Sequence, residues 1–137
     1  MALGATGAVE VEIDGVAGWA MADDLEATPE AGPWVALLPG LDPTAMGWKD
    51  RDWYLGPHRE TLFDRNGNVG PTVWCDGRIV GGWAQRPDGA IALRLLEDIG
   101  TEANAAVEAE SHALEALIGP VRVTPRFRTP LERVLSL

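Results

Sequence analysis

The sequence predicts an α+β fold that is mainly β: an antiparallel meander or small, partly open barrel with one long helix packed on it, preceded by a wing-like β-hairpin. Three observations carry the prediction. Val9, Val11 and Ile13 alternate with Glu10 and Glu12, the period of a half-buried strand. Asp76-Gly77 and Pro87-Asp88-Gly89 supply tight-turn chemistry between three β-rich runs. One stretch, Glu102 to Ile118, keeps a helical apolar period and stops at Gly119-Pro120.

In chain order, the first strand is expected to reverse at Asp14-Gly15 into a partner from Val16 to Met21, giving a wing or an edge hairpin. Residues 22 to 34 carry Asp23, Asp24, Pro29, Gly32 and Pro33, the composition of an acidic connector. Trp34 to Leu38 is a short apolar run ended by Pro39-Gly40. Asp42 then stands where its carboxylate can cap a turn whose first helical residue is Pro43, and Gly47 ends that turn. His58 to Phe63 is expected to be a helical turn, and Arg65-Asn66-Gly67-Asn68 a reverse turn. Strands are expected at Thr72 to Cys75, Arg78 to Gln85 and Ala90 to Leu96. The long helix takes Thr101 as its cap and Ala103, Val107, Leu114, Leu117 and Ile118 as its buried face. A last strand is expected over Pro120 to Thr124, with a tail docked by Leu131, Val134 and Leu135.

Composition bounds the rest. At 137 residues with 46% hydrophobic content, the chain is long enough to bury roughly 65–70% of its unfolded surface in one domain. No run approaches the ~18 apolar residues of a membrane helix, and no secretory leader is recognisable, so a cytoplasmic location and no membrane partner are expected. One cysteine excludes an internal disulfide, and Cys75 beside Val73 and Trp74 reads as a small buried hydrophobe. One cysteine and two histidines cannot build a closed nitrogen and sulfur zinc site, and no metal is expected.

The net charge of −10 is unevenly placed. Residues 1 to 48 hold eight acids and no Lys or Arg, so every cation lies after position 48. A strongly acidic chain neutralises few phosphates, and on its own it is expected to bind DNA weakly. The interleaved stretch from Trp48 to Tyr54 pairs aromatics with Lys49 and Arg51, a composition that serves either a packed core or a nucleic-acid surface. His112 follows Glu108 by one helical turn and reads as an exposed pair. Gly81-Gly82 before Trp83 reads as a bulge or close backbone approach, since no helix follows to make a phosphate loop; no cofactor is expected.

Two strings form a signature. Leu37, Leu38, Pro39, Asp42, Pro43, Gly47, Asp50 and Arg51 make the first; Pro71, Thr72, Val73, Asp76, Gly77, Arg78, Gly81 and Trp83 make the second. Together with Phe127, Thr129, Pro130, Leu131 and Glu132 they resemble the C-terminal part of the bacterial winged-helix DNA-binding domain family that includes the AlkZ-type interstrand-crosslink DNA glycosylases. The resemblance implies a longer protein, with tandem winged-helix units ahead of a β-rich, barrel-like end. Residues 1 to 28 would then be the wing of a preceding unit, with Leu3 to Ala8 trailing from its helix, and residues 34 to 137 the C-terminal domain. Asp42, Pro43, Gly47, Asp76, Gly77, Gly81 and Trp83 are the structural part of the motif.

The catalytic Gln-x-Gln motif implied for the glycosylases has no counterpart here, because Gln85 is the sole glutamine. No catalytic residue is assigned. The expected function is a non-catalytic domain that supports DNA binding in DNA repair, with Lys49, Arg51, His58, Arg65 and Arg78 as backbone contacts, since phosphate contacts position a protein without reading sequence. The alternatives are a protein-interaction or oligomerisation module, and a hydrolase built on His58 with an acidic partner.

Overall fold

In this computed structural model, residues 7–13 and 15–137 are described. They fall into two compact units, Met1–Ala31 and Gly32–Leu137. The first holds β1 (Ala8–Ile13) and β2 (Val16–Met21), paired antiparallel from Ala8 opposite Met21 to Ile13 opposite Val16. Gly15 takes the left-handed φ of 79° that the reversal needs. Asp14 and the expected trailing segment before Gly7 lie outside the described residues. A 3-10 turn at Ala22–Asp24 opens the acidic connector.

The second unit is an open four-stranded antiparallel sheet in the order β3 (Val35–Leu38), β4 (Thr72–Cys75), β5 (Arg78–Gln85), β6 (Ile91–Leu95). The meander is therefore as expected, and the sheet does not close into a barrel. At Asp76-Gly77 both residues have positive φ, 46° and 82°, the requirement of a type I′ hairpin that matches strand twist. Asp76 contributes more than a turn, because its Oδ1 accepts from the Trp34 amide at 2.8 Å and its own amide donates to the Trp34 carbonyl at 3.1 Å. That pair fixes where β3 enters the sheet.

Side chains alternate between two cores. On one face Trp74, Ile79, Ala84 and Ala92 meet Tyr54, Leu55, Leu62 and Phe63. Together with Ala45 these lie on, or directly after, three single-turn helices, α1 (Pro43–Gly47), α2 (Asp52–Leu55) and α3 (Arg59–Leu62). On the other face Val73, Val80, Trp83, Leu93 and Leu95 meet the long α4 (Gly100–Ile118) through Val107 and Leu114. The sheet is thus covered on both sides rather than by one helix. β4 and β5 read as nearly continuous apolar runs for this reason.

A bulge reconciles the two cores. Pairing passes from Val73 opposite Gly81 to Trp74 opposite Ile79, leaving Val80 as an extra residue on β5. Gly81-Gly82 is also the close approach that the sequence implied. A Cβ on Gly81 would run into the Arg94 carbonyl, and one on Gly82 would sit 2.7 Å from Leu131 Cδ2.

Several expectations are corrected. The α4 helix starts at Gly100, after Ile99, and the amide of Gly100 is capped by Asp98 Oδ1 at 2.9 Å, so Thr101 is not the cap. Leu117 is 82% exposed, whereas Ser111 is buried. Residues 120–124 form no strand; instead the Gln85 side-chain amide imitates a strand partner, donating to the Val121 carbonyl and accepting from the Val123 amide, both at 3.0 Å. The tail docks through Leu131 and Leu135, while Val134 stays 49% exposed. It does so as a helix, α5 (Pro130–Leu135), with a buried capping box: Thr129 Oγ1 accepts from the Glu132 amide, and Glu132 Oε2 accepts from the Thr129 amide.

Candidate nucleic-acid interface

The motif around Asp42 builds a rigid corner. Asp42 Oδ1 accepts from the Thr44 and Ala45 amides at 3.0 and 3.3 Å, and Pro43 presets the first helical φ. The Tyr54 hydroxyl donates to the Thr44 carbonyl at 2.7 Å, and its ring stacks on Trp74. Burial pushes the Tyr54 phenol above its ordinary pKa, opposed by the nearby Arg51 charge. Arg51 turns inward: its Nη1 donates to the Ala45 carbonyl at 2.5 Å, and its guanidinium lies 4.9 Å from the centre of the Phe63 ring. Arg51 therefore ties α1 to α2 and α3. Lys49, two residues earlier, is exposed, as are Trp48 at 66% and Trp53 at 73%. Gly47 ends α1 beside them.

His58 also turns inward. Its Nε2 lies 2.7 Å from Glu97 Oε1, and Arg78 Nη2 reaches Glu97 Oε2 at 2.5 Å, so one carboxylate joins the turn before α3 to the start of β5. With both oxygens of Glu97 engaged, the cluster is a clamp between segments rather than a free acid and base. The Glu97 carboxyl is held below the ordinary range first by the His58 hydrogen bond and further by the Arg78 charge, against the opposing effect of its own burial. Because folding lowers this pKa, the contribution is complete above the unfolded value of about 4.3 and is lost as pH falls through the folded value. Replacing Glu97→Gln is expected to shrink the loss of stability between about pH 5 and pH 3, measured by urea midpoints. Equal losses in both chains would show that the clamp carries no such linkage. His112 pairs at 3.7 Å with Glu115, not with Glu108.

Arg65 lies elsewhere, on the turn from Asp64 to Asn68. That turn is closed by the Asp64 amide donating to the Asn68 carbonyl at 2.8 Å. Asp64 Oδ1 accepts from the Asn66 and Asn68 amides, and Oδ2 from Asn68 Nδ2, bonds that hold its carboxyl below the ordinary range. Beside the turn runs a groove of about 430 Å³ lined by Arg65, Asp64, Arg126, Phe127, Arg128 and Arg133 among others. Of these, the sequence reading had named only Arg65 as a contact. The signal for the rest was present: from position 120 onward the chain holds four arginines and one acid. Arg122 is not part of the groove, since its guanidinium donates to the carbonyls of Pro87, Asp88, Gly119 and Val121.

The remaining motif residues are structural. Trp83 lies in the core and donates its indole N–H to the Leu38 carbonyl at 3.0 Å. Cys75 packs against the same core, where burial and Asp76 push its thiol pKa up and away from reactivity. Among the described residues no group of three His, Cys, Asp or Glu could hold a metal ion, and no helix is long and apolar enough to cross a membrane.

No curated protein matches the chain significantly. Among solved structures, the Streptomyces sahachiroi DNA glycosylase AlkZ matches with a TM-score of 0.63 and 27% identity over 80% of this chain. The chain spans 30% of the length of that structure. The sequence model of the family described as "DNA glycosylase AlkZ-like" matches residues 2–117. That match runs through the hairpin, the capped corner, the sheet and nearly all of α4, and the chain belongs to the AlkZ-like DNA glycosylase family.

Proposed function

We propose that this chain is a non-catalytic, C-terminal domain that supports DNA binding by a longer DNA-repair protein acting in the cytoplasm. The carrying observation is the fate of its one glutamine. A Gln-x-Gln pair that holds a hydrolytic water needs free side-chain amides, and the Gln85 amide is bonded at both ends to the 121–123 segment. In this reading base excision belongs to winged-helix units outside these residues, and β1–β2 serves as the wing of such a unit. Lys49, exposed between Trp48 and Trp53, and Arg65 are the outward cations of the predicted set. Arg78 is exposed but clamped to Glu97, and Arg51 and His58 hold those surfaces in place.

The test is a pair of measurements on the chain as it stands. Incubated with alkylated duplex DNA, it is expected to release no base. Titrated into labelled duplex, it is expected to bind with a dissociation constant on the order of 10⁻⁴ to 10⁻⁶ M, the range of sequence-independent phosphate binding. Base release by this chain, or nanomolar affinity that collapses with salt, would overturn the division of labour.

A further inference from the structure

We infer that the groove between the 64–68 turn and the 124–133 tail seats the sugar-phosphate backbone of DNA, with Arg65, Arg126, Arg128 and Arg133 as its phosphate contacts. The inference rests on the DNA-supporting role above and gives it a location. Four of the eleven Lys and Arg residues of a chain with net charge −10 line this one groove. Such a gathering opposes the general field of the molecule, and mutual repulsion makes it costly unless an anion occupies it.

The state of these side chains separates them from four of the other six arginines. Arg51, Arg78, Arg86 and Arg122 all donate to acceptors within the protein. Among the described residues, none of the four groove guanidiniums has a hydrogen-bond or ion-pair acceptor. The nearby acids do not serve as acceptors for them. Asp64 is turned into its own loop by three hydrogen bonds, and the Glu132 carboxylate is buried in the α5 capping box. Arg126 is held over the Phe127 ring, 5.4 Å from its centre, which limits its freedom before any ligand arrives.

The walls are built to hold position. One is a turn closed by backbone bonds, and the other leads into a helix pinned to the core by Leu131 and Leu135. Arginine presents a planar fork that takes two phosphate oxygens at once, and all four cations here are arginine rather than lysine. The groove is open and its cations are spread over two chain segments, a layout for successive phosphates rather than for one enclosed ion.

The test follows binding of a labelled DNA duplex by anisotropy from about 20 to 200 mM salt. Three or four phosphate contacts predict a slope of log affinity against log salt near −3. Replacing Arg126→Ala and Arg128→Ala together is expected to lower that slope by about 2 and to weaken binding roughly tenfold at low salt, uniformly across sequences. Arg126→Lys with Arg128→Lys should keep the slope, and Arg94→Ala, at the one exposed position of β6, should change nothing. Circular dichroism melts establish that each variant is folded. An unchanged slope in the folded double alanine variant would sink the groove while leaving the DNA-supporting role intact. Absence of binding by the unsubstituted chain at the lowest salt overturns that role as well. Displacement of DNA by an equal concentration of inorganic phosphate would assign the groove to a free anion and overturn the inference.

Discussion

Gly81→Ala is expected to destabilise the chain by about 3 kcal/mol, lowering the melting temperature by roughly 10 °C. The added methyl would collide with the Arg94 carbonyl oxygen and lie 3.0 Å from Leu95 Cα. Both obstacles are backbone of the paired strand β6, so no side-chain rotation relieves them. The strand cannot slide either, because Val80 already forms a bulge on one side and Trp83 is anchored to Leu38 on the other. Gly77→Ala makes the contrast. Its φ is 82° but no atom lies within 4 Å of the new methyl, so its cost is conformational and should be about 1 kcal/mol. Thermal or urea denaturation of the two variants checks this order, and equal losses would show that space at Gly81 is not the reason for its glycine.

Leu131→Ala is expected to cost about 3 kcal/mol, the usual range for a buried leucine whose cavity cannot collapse. Leu131 is 4% exposed, and its Cδ2 rests on the bare backbone of Gly82, so the two residues are complementary. The effect should extend beyond stability. The α5 helix has six residues, too few to hold its shape alone, and it stays helical because Leu131 and Leu135 dock it and the Thr129–Glu132 box caps it. Loss of Leu131 should therefore raise amide exchange through residues 129–136 and reduce the salt slope of DNA binding along with it. Val134→Ala, on the exposed face of the same helix, should stay within about 0.5 kcal/mol of the parent chain. A Leu131→Ala chain with unaltered exchange in α5 would mean that the capping box alone holds the groove wall.

Local chemistry made much of the second unit legible. Asp42-Pro43, Asp76-Gly77 and Pro87-Asp88-Gly89 each dictate a backbone conformation within two or three residues, so strands bounded by them are found within a residue of where the sequence placed them. The α5 helix was equally legible and was missed: Thr129-Pro130 followed by Glu132 is the capping-box pattern with proline at the first helical position. Leu117 failed for a different reason. It lies three residues after Leu114, but the face turned toward the sheet runs through Val107, Ser111, Leu114 and Ile118, and the buried serine in that row hid it from an apolar count.

Charge placement was the least legible layer. Lys49 and Arg51 stand two residues apart in one alternating run, yet one faces solvent and the other bonds the Ala45 carbonyl inside the corner. Arg65 and Arg128 are far apart in sequence and line one groove. By itself the sequence determined the hairpins, the capped turn, the long helix and the resemblance to the AlkZ-like family, because turns, periodicity and motif spacing are local properties. Only the tertiary structure decided that the sheet stays open between two cores, that Glu97 joins His58 to Arg78, and that four arginines meet in one groove. Those outcomes depend on which distant surfaces come into contact, and nothing in the neighbourhood of a residue encodes which distant partner it will meet.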